Sequence, residues 1–193
     1  MKPKLLLIGG GGHCRSLIDV IETEGKFEIF GIIDIPEKIG EIVLGYEIIG
    51  SNEDLKRLRG ECSYALIAFG QIKSPDGRIR MFEHLKTMGY KLPTVISPRA
   101  YVSKHAHIGE GSVIFHDALI NANAAVGDNC IINTKALIEH DSIIGDHCHI
   151  STGAIVNGET VIKRGSFFGS NAVSKEVTLI EERSFIKAGS VAK

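Results

Sequence analysis

The chain has 193 residues, 44% of them hydrophobic, and a formal net charge of -1, so it can bury a sizeable core and carries no broad basic field for nucleic acid. The apolar run near the start spans only Leu5 to Ile8 before glycines break it, too short for a signal-peptide core or a membrane span. Four cysteines, Cys14, Cys62, Cys130 and Cys148, lie far apart without a CxxC pair, which indicates neither a zinc site nor a disulfide framework and makes a reducing cytoplasm the expected compartment.

In chain order, Lys4 to Ile8 reads as a buried strand ending in glycines, and Ser16 to Ile21 as an amphipathic helix stopped by Gly25. Phe27 to Ile33 is a second strand, Asp54 to Arg59 a helix, Tyr64 to Phe69 a buried strand and Arg78 to Thr87 a helix. Alternating strands and helices require a parallel α/β sheet, so residues 1–92 are expected to form a Rossmann-like domain.

From about Pro93 the helical signals stop. Aliphatic residues recur every six positions from Ile96 through Val102, Ile108, Ile114, Ile120 and Val126 to Ile162, followed by Phe168, Ile180 and Ile186, and only Ser174 breaks the six-residue step. Four residues after each comes a small one, from Ala100 and Ala106 to Ser184 and Ser190. Three hexads make one turn of a parallel β-helix with three flat faces, the aliphatic residue inside and the small one at the corner, and about five such coils fit over residues 93–193. An antiparallel sandwich would instead alternate with a period of two.

Within this pattern, His140 sits at the third position of the hexad Ile138-Glu139-His140-Asp141, which faces outward between two carboxylates. The residues one coil away, Ala122 and Gly158, are small and leave room beside the imidazole. Histidine suits a general base at neutral pH, and a neighbouring carboxylate would hold its tautomer. His105, His107, His116 and His147 also fall on outward positions, but their spacing gives no shared ligand geometry, so no metal is expected. The loop Gly9-Gly10-Gly11-Gly12-His13 lies between first strand and first helix, where the backbone can approach a phosphate. It lacks the third glycine of G-x-G-x-x-G, that place being Cys14 or Arg15, which speaks against a redox dinucleotide.

The hexads Ile108-Gly109-Glu110-Gly111, Val126-Gly127-Asp128-Asn129 and Ile144-Gly145-Asp146-His147 make the chain resemble the hexapeptide-repeat acyltransferases. With the front domain included it looks like the branch of bacillosamine-pathway nucleotide-aminosugar N-acetyltransferases and sialic acid O-acetyltransferases. The resemblance implies a left-handed β-helix and a homotrimer, with acetyl-CoA between neighbouring chains. It places the catalytic histidine in a matching Asn133-Thr134 to His140-Asp141 stretch, with Asp141 rather than Glu139 as the orienting carboxylate. It further implies that Gly9, Gly10, Gly11, Gly12 and His13 hold the pyrophosphate of a UDP-sugar, with an acidic pair on the ribose or base that here reads Asp34-Ile35, one acid instead of two. By the same resemblance CoA lies against Ser151, Gly158, Gly169 and Ala188, with Lys187 beside them and His149 at the subunit interface, packing being the other reading of His149. Lys163 and Arg164 could meet the 3′-phosphate or be solvated turn residues. The ending Lys187 to Lys193 resembles a repeat that many relatives follow with a further coil and GxPAK, which implies a CoA wall built differently. The expected activity is N-acetylation of a nucleotide-linked 4-aminosugar without an acyl-enzyme; the alternatives are O-acetylation of a sialic-acid-like sugar, a metal-dependent lyase and a non-catalytic scaffold. No nucleic-acid or membrane partner is expected.

Overall fold

The structure, a computed structural model, describes residues 2–193. It comprises two compact units: the residues up to Gly70 with Arg80–Pro93, and Gln71–Ile79 with Thr94–Lys193. A single division at 92/93 does not anticipate the segment Gln71–Ile79, which packs with the second unit.

In the first unit the elements are β1 (Lys4–Ile8), α1 (Gly12–Glu24), β2 (Glu28–Ile33), β3 (Ile42–Val43), β4 (Tyr46–Gly50), α2 (Leu55–Leu58), β5 (Tyr64–Ile67) and the part of α3 (Asp76–Thr87) from Arg80 on. The strand order is β3-β4-β2-β1-β5, parallel except where β3 runs against β4. Continuous apolar sequence in β1 reflects burial on both sides, and Leu5 to Ile8 are all buried. One side meets Phe82 and Leu85 of α3 together with Leu55 and Leu58 of α2. Helix α1 ends where Gly25 adopts a φ of 69° and its N–H reaches Ile21 O at 2.9 Å, a left-handed cap that a glycine takes without strain. The helix expected over Asp54 to Arg59 is a shorter one preceded by a 3-10 turn over Asn52–Asp54, where Ser51 and Asp54 form a capping box. Strands β3 and β4 were not expected, because edge residues Ile42 and Leu44 are exposed and leave no inward periodicity to read.

The second unit is a parallel β-helix. Its first face stacks Val95–Ile96, Val113–Ile114, Ile131–Ile132, His149–Ile150, Phe167–Phe168 and Phe185–Ile186. The second stacks Tyr101–Val102, Leu119–Ile120, Leu137–Ile138, Ile155–Val156, Val173–Ser174 and Val191–Ala192. The third stacks His107–Ile108, Ala125–Val126, Ile143–Ile144, Val161–Ile162 and Leu179–Ile180. Each strand pairs with the one eighteen residues on, as Leu119 with Leu137 and Leu137 with Ile155, so three hexads do make a coil. The second residue of each strand points inward, and these residues with the small corner residues Ala118, Ala136, Cys148 and Ala154 make one continuous core. Ser174 breaks the aliphatic series yet is fully buried: its hydroxyl accepts from Asn157 N at 2.9 Å and shares a hydrogen bond with Thr160 Oγ1 at 3.0 Å. A satisfied hydroxyl is tolerated where an unpaired one would not be.

Candidate active site

His140 stands at the corner between the second and third faces, with its side chain 56% exposed. Its Nδ1 lies 2.8 Å from Asp141 Oδ2, and Asp141 Oδ1 accepts from Asn123 Nδ2 at 2.7 Å. Asp141 has a φ of 60°, a left-handed corner conformation that aspartate visits more easily than most residues and that brings its carboxylate back to its own neighbour. Glu139 is directed elsewhere, accepting from Asn121 Nδ2 at 2.7 Å and from the His140 N–H at 3.2 Å. The geometry thus distinguishes the two carboxylates: Asp141 meets the ring, Glu139 the backbone. The hydrogen bond to Asp141, assisted by its charge and by those of Glu139 and Glu159, raises the His140 pKa above its ordinary value. Hydrogen bonds from Asn123 and His140 lower that of Asp141. Because Nδ1–H donates to the carboxylate, Nε2 keeps the lone pair. Next to it, one coil on, a Cβ added at Gly158 would sit 2.9 Å from Nε2, so glycine is what gives the ring its place. Asn121 and Asn123 were missed by the sequence reading; the eighteen-residue offset to Glu139 and Asp141 is the signal that finds them.

In the first unit a cleft of about 270 Å³ opens beyond the C-terminal ends of β1 and β2, with Ile8, Gly9, Ile33, Phe69 and Met81 against Asp34, Ile35 and Ser51 to Glu53. Strand β1 lies between β2 and β5, where the order of the parallel sheet reverses, the usual place for a ligand in such sheets. Gly9 has a φ of 104°, and a Cβ there would press on Phe69 at 3.1 Å. Gly10 N–H donates to Asp34 Oδ2 at 2.7 Å, and a Cβ at Gly10 would meet that oxygen at 3.1 Å. Gly11 caps α1 without a side-chain hydrogen bond and opens with Gly12 into free space, while His13 lies in the first turn. Burial opposes the charge of Asp34, but hydrogen bonds from Ile35 N, Gly10 N and Lys38 outweigh it and hold the carboxyl below its ordinary pKa. The carboxylate therefore braces the glycine loop, a use the sequence did not show.

Ser151 and Gly169 follow one another at the corner between the first and second faces, with exposed Ala188 at the same corner in the last coil. Ser151 Oγ is 2.9 Å from Ser170 Oγ. A Cβ at Gly169 would lie 2.5 Å from Ala188 N, so coil stacking alone demands this glycine. Gly158 lies at the other corner, under His140, so the structure does not gather the expected CoA residues on one corner of one chain. His149 projects away from the core of the first face, but Gln71 covers it: its Nδ1 is 2.6 Å from Gln71 O, and the residue is 6% exposed. Lys163 is ion-paired with Glu181 at 2.8 Å. His147 is buried too, with Nδ1 2.9 Å from Asn129 Nδ2. Among the described residues no three His, Cys, Asp or Glu side chains gather as a metal site would need, and no helix is long and apolar enough to cross a membrane.

Residues 4–85 match the PglD N-terminal domain family. Over its whole length the chain is similar to the acetyltransferase domain of PglB from Neisseria gonorrhoeae FA1090, with 31% identity, 92% of that chain covered and a TM-score of 0.91. The same domain in complex with acetyl coenzyme A matches at 30% identity, over 100% of this chain and 94% of that one, with a TM-score of 0.87. The chain belongs to the hexapeptide-repeat sugar acetyltransferases of the PglB and PglD type. PerB from Caulobacter crescentus, in complex with CoA and GDP-perosamine, shares the fold at 23% identity over 97% of this chain and 92% of that one, with a TM-score of 0.69. No curated protein sequence matches. The fold is accordingly a small α/β domain followed by a left-handed parallel β-helix, and the protein is an acyltransferase. His140 is thus an exposed imidazole backed by the Asp141 carboxylate, which is itself held by the Asn123 amide.

Proposed function

We propose that the protein transfers the acetyl group of acetyl-CoA to the amino group of a nucleotide-linked 4-aminosugar. The observation that carries this reading is the line Asn123, Asp141, His140 at an exposed corner beside Gly158. The sugar nitrogen attacks the thioester carbonyl as His140 Nε2 takes its proton. The tetrahedral intermediate then collapses with cleavage of the C–S bond, and the imidazolium returns the proton to the departing thiolate. Asp141 keeps Nδ1 protonated and stabilises the imidazolium. CoA release assays with acetyl-CoA and a panel of nucleotide 4-aminosugars and nonulosonates test the reading: thiol should appear with the aminosugars, and turnover only with the nonulosonates would make the enzyme an O-acetyltransferase.

The nucleotide belongs in the β1/β2 cleft, its phosphates against Gly9 to Gly12 and His13 at the start of α1, with Asp34 beneath. Gly11→Asp is expected to weaken nucleotide-sugar binding about tenfold or more while CoA binding holds, since one repelled charge at a helix N-terminus costs this much. Nothing lies within 4 Å of a Cβ at Gly11, so the substitution introduces charge without displacing structure. Calorimetry showing equal affinity in the variant would reduce the loop to a turn.

The assembly proposed is a cytoplasmic homotrimer. Outward residues on the two faces flanking His140 are apolar apart from His107: they include Tyr101, Leu137, Ile155 and Val191 on the second and Ile143, Val161 and Leu179 on the third. Tyr101, Ile143, Leu179 and Val191 are exposed in the single chain, an apolar surface that a neighbour would cover. His140 and the Ser151 corner lie on opposite sides of the second face, so a groove holding both a base and a donor calls for two chains. Sedimentation at micromolar concentration should give three chain masses, and Leu179→Asp should shift it toward one.

A further inference from the structure

Gln71 grips the first face of the β-helix at two points. Its side-chain Nε2–H donates to His147 O at 3.0 Å, and its main-chain carbonyl lies 2.6 Å from His149 Nδ1. A carbonyl only accepts, so Nδ1 must carry the proton of the ring and Nε2 the lone pair. Asn133 completes the sequence: its Oδ1 accepts from Thr134 N at 2.8 Å, which turns Nδ2 toward His149 Nε2 at 3.2 Å. Each partner thus faces a group of the opposite kind from Gln71 through His149 to Asn133. The rest of the surroundings keeps the ring still: Phe167 packs against it edge-on at 5.2 Å between centroids, and Gln71 is itself 3% exposed.

We propose that Gln71 is a positioning residue that fixes His149 as its neutral Nδ1–H tautomer and, through it, orients the Asn133 amide toward the acyl donor, an assignment that rests on the acetyltransferase reading above. Asn133 stands eighteen residues before Ser151 and thirty-six before Gly169, hydrogen-bonded to the next coil through Ile150 O as Ser151 is through Phe168 O. It therefore extends by one coil the column of Ser151 and Gly169, the corner where the proposed acyl donor would lie. One N–H of its amide goes to His149; the second is the donor this corner offers to a carbonyl of the acyl donor. Protonating His149 would set Nε2–H against that same amide N–H and turn the amide over, presenting oxygen where a hydrogen-bond donor is required. Burial and the charge of Arg78 oppose this, pushing the His149 pKa down to about 4 although the Gln71 carbonyl favours the proton. His149 is then neither a second base nor a cationic phosphate ligand but a fixed polar strut.

The test uses the full chain labelled with 15N-histidine, with long-range proton–nitrogen spectra recorded from about pH 5.5 to about pH 8, a window in which an ordinary histidine titrates. In the wild type, His149 should show a protonated Nδ1 and an unprotonated Nε2 throughout. Gln71→Ala and Gln71→Met remove the bond to His147 O and loosen the carbonyl. In both, His149 should begin to titrate inside the window with mixed tautomers, and kcat should fall about tenfold, the size of one lost hydrogen bond at the donor. Sedimentation identical to wild type separates this from unfolding. A wild-type His149 in the Nε2–H form, or titrating near 6.5, would overturn the proposal, as would unchanged His149 signals in both variants. A fixed tautomer in a protein that acetylates no sugar would count against the acetyltransferase reading while leaving the assignment of Gln71 to His149 in place.

Discussion

Replacing His140 with alanine is expected to lower kcat by roughly two to four orders of magnitude, the usual contribution of a positioned general base, while acetyl-CoA affinity scarcely changes. The side chain is exposed, packs into no core and takes part in no coil-to-coil bond, so its removal leaves the solenoid intact and the loss belongs to the chemical step. The pH profile supplies a second check. A base works only when neutral, and Asp141 raises the His140 pKa. Activity should therefore be full above that raised value and fall away as the pH drops through it, placing the acid limb of kcat/KM above the ordinary 6.5. In Asp141→Asn the hydrogen bond loses its charge, the limb moves down, and the plateau rate falls by less than in His140→Ala, because a misoriented imidazole still accepts a proton part of the time. Near-normal kcat in His140→Ala on the true acceptor would remove the mechanism.

The β-helix was legible because its signal is redundant: sixteen successive hexads repeat an inward residue and a small corner residue, and the coil spacing follows from simple counting. That same count placed His140 outward between carboxylates with small residues one coil away. What escaped was whatever the repeat does not encode. The segment Gln71 to Ile79 has no periodicity, yet it packs with the β-helix, seats buried Arg78 against Asn129 at 2.6 Å and turns outward-facing His149 into a buried group. An outward position in a solenoid means only that the side chain leaves the core; what covers it there is a long-range packing event. Asp34 is similar. It directly follows β2 in the chain, but that its oxygens brace Gly10 and Ile35 depends on the approach of two loops, which spacing along the chain does not reveal.

Gly158→Ala is expected to lower kcat about 10²-fold, the scale of misplacing a catalytic group by about an ångström. A Cβ at this position would stand 2.8 Å from Cε1 and 2.9 Å from Nε2 of His140, closer than real carbon contacts allow. The backbone under the ring is held by coil stacking, with Glu159 N on His140 O at 3.1 Å and Val177 N on Gly158 O at 3.0 Å, so the exposed imidazole must be the part that moves. Moving it breaks the 2.8 Å contact with Asp141, which costs both orientation and the raised basicity. The family resemblance assigns Gly158 to the CoA site instead, and the two roles separate in a double-mutant cycle. If the glycine acts by making room for the imidazole, adding Gly158→Ala to His140→Ala costs nothing more, because the ring it would displace is gone. Two losses that add would show that Gly158 works independently of His140, through the donor. Unchanged kcat in the single Gly158→Ala variant would mean that the ring finds an equally good pose, and the close packing at this corner would then have no part in catalysis.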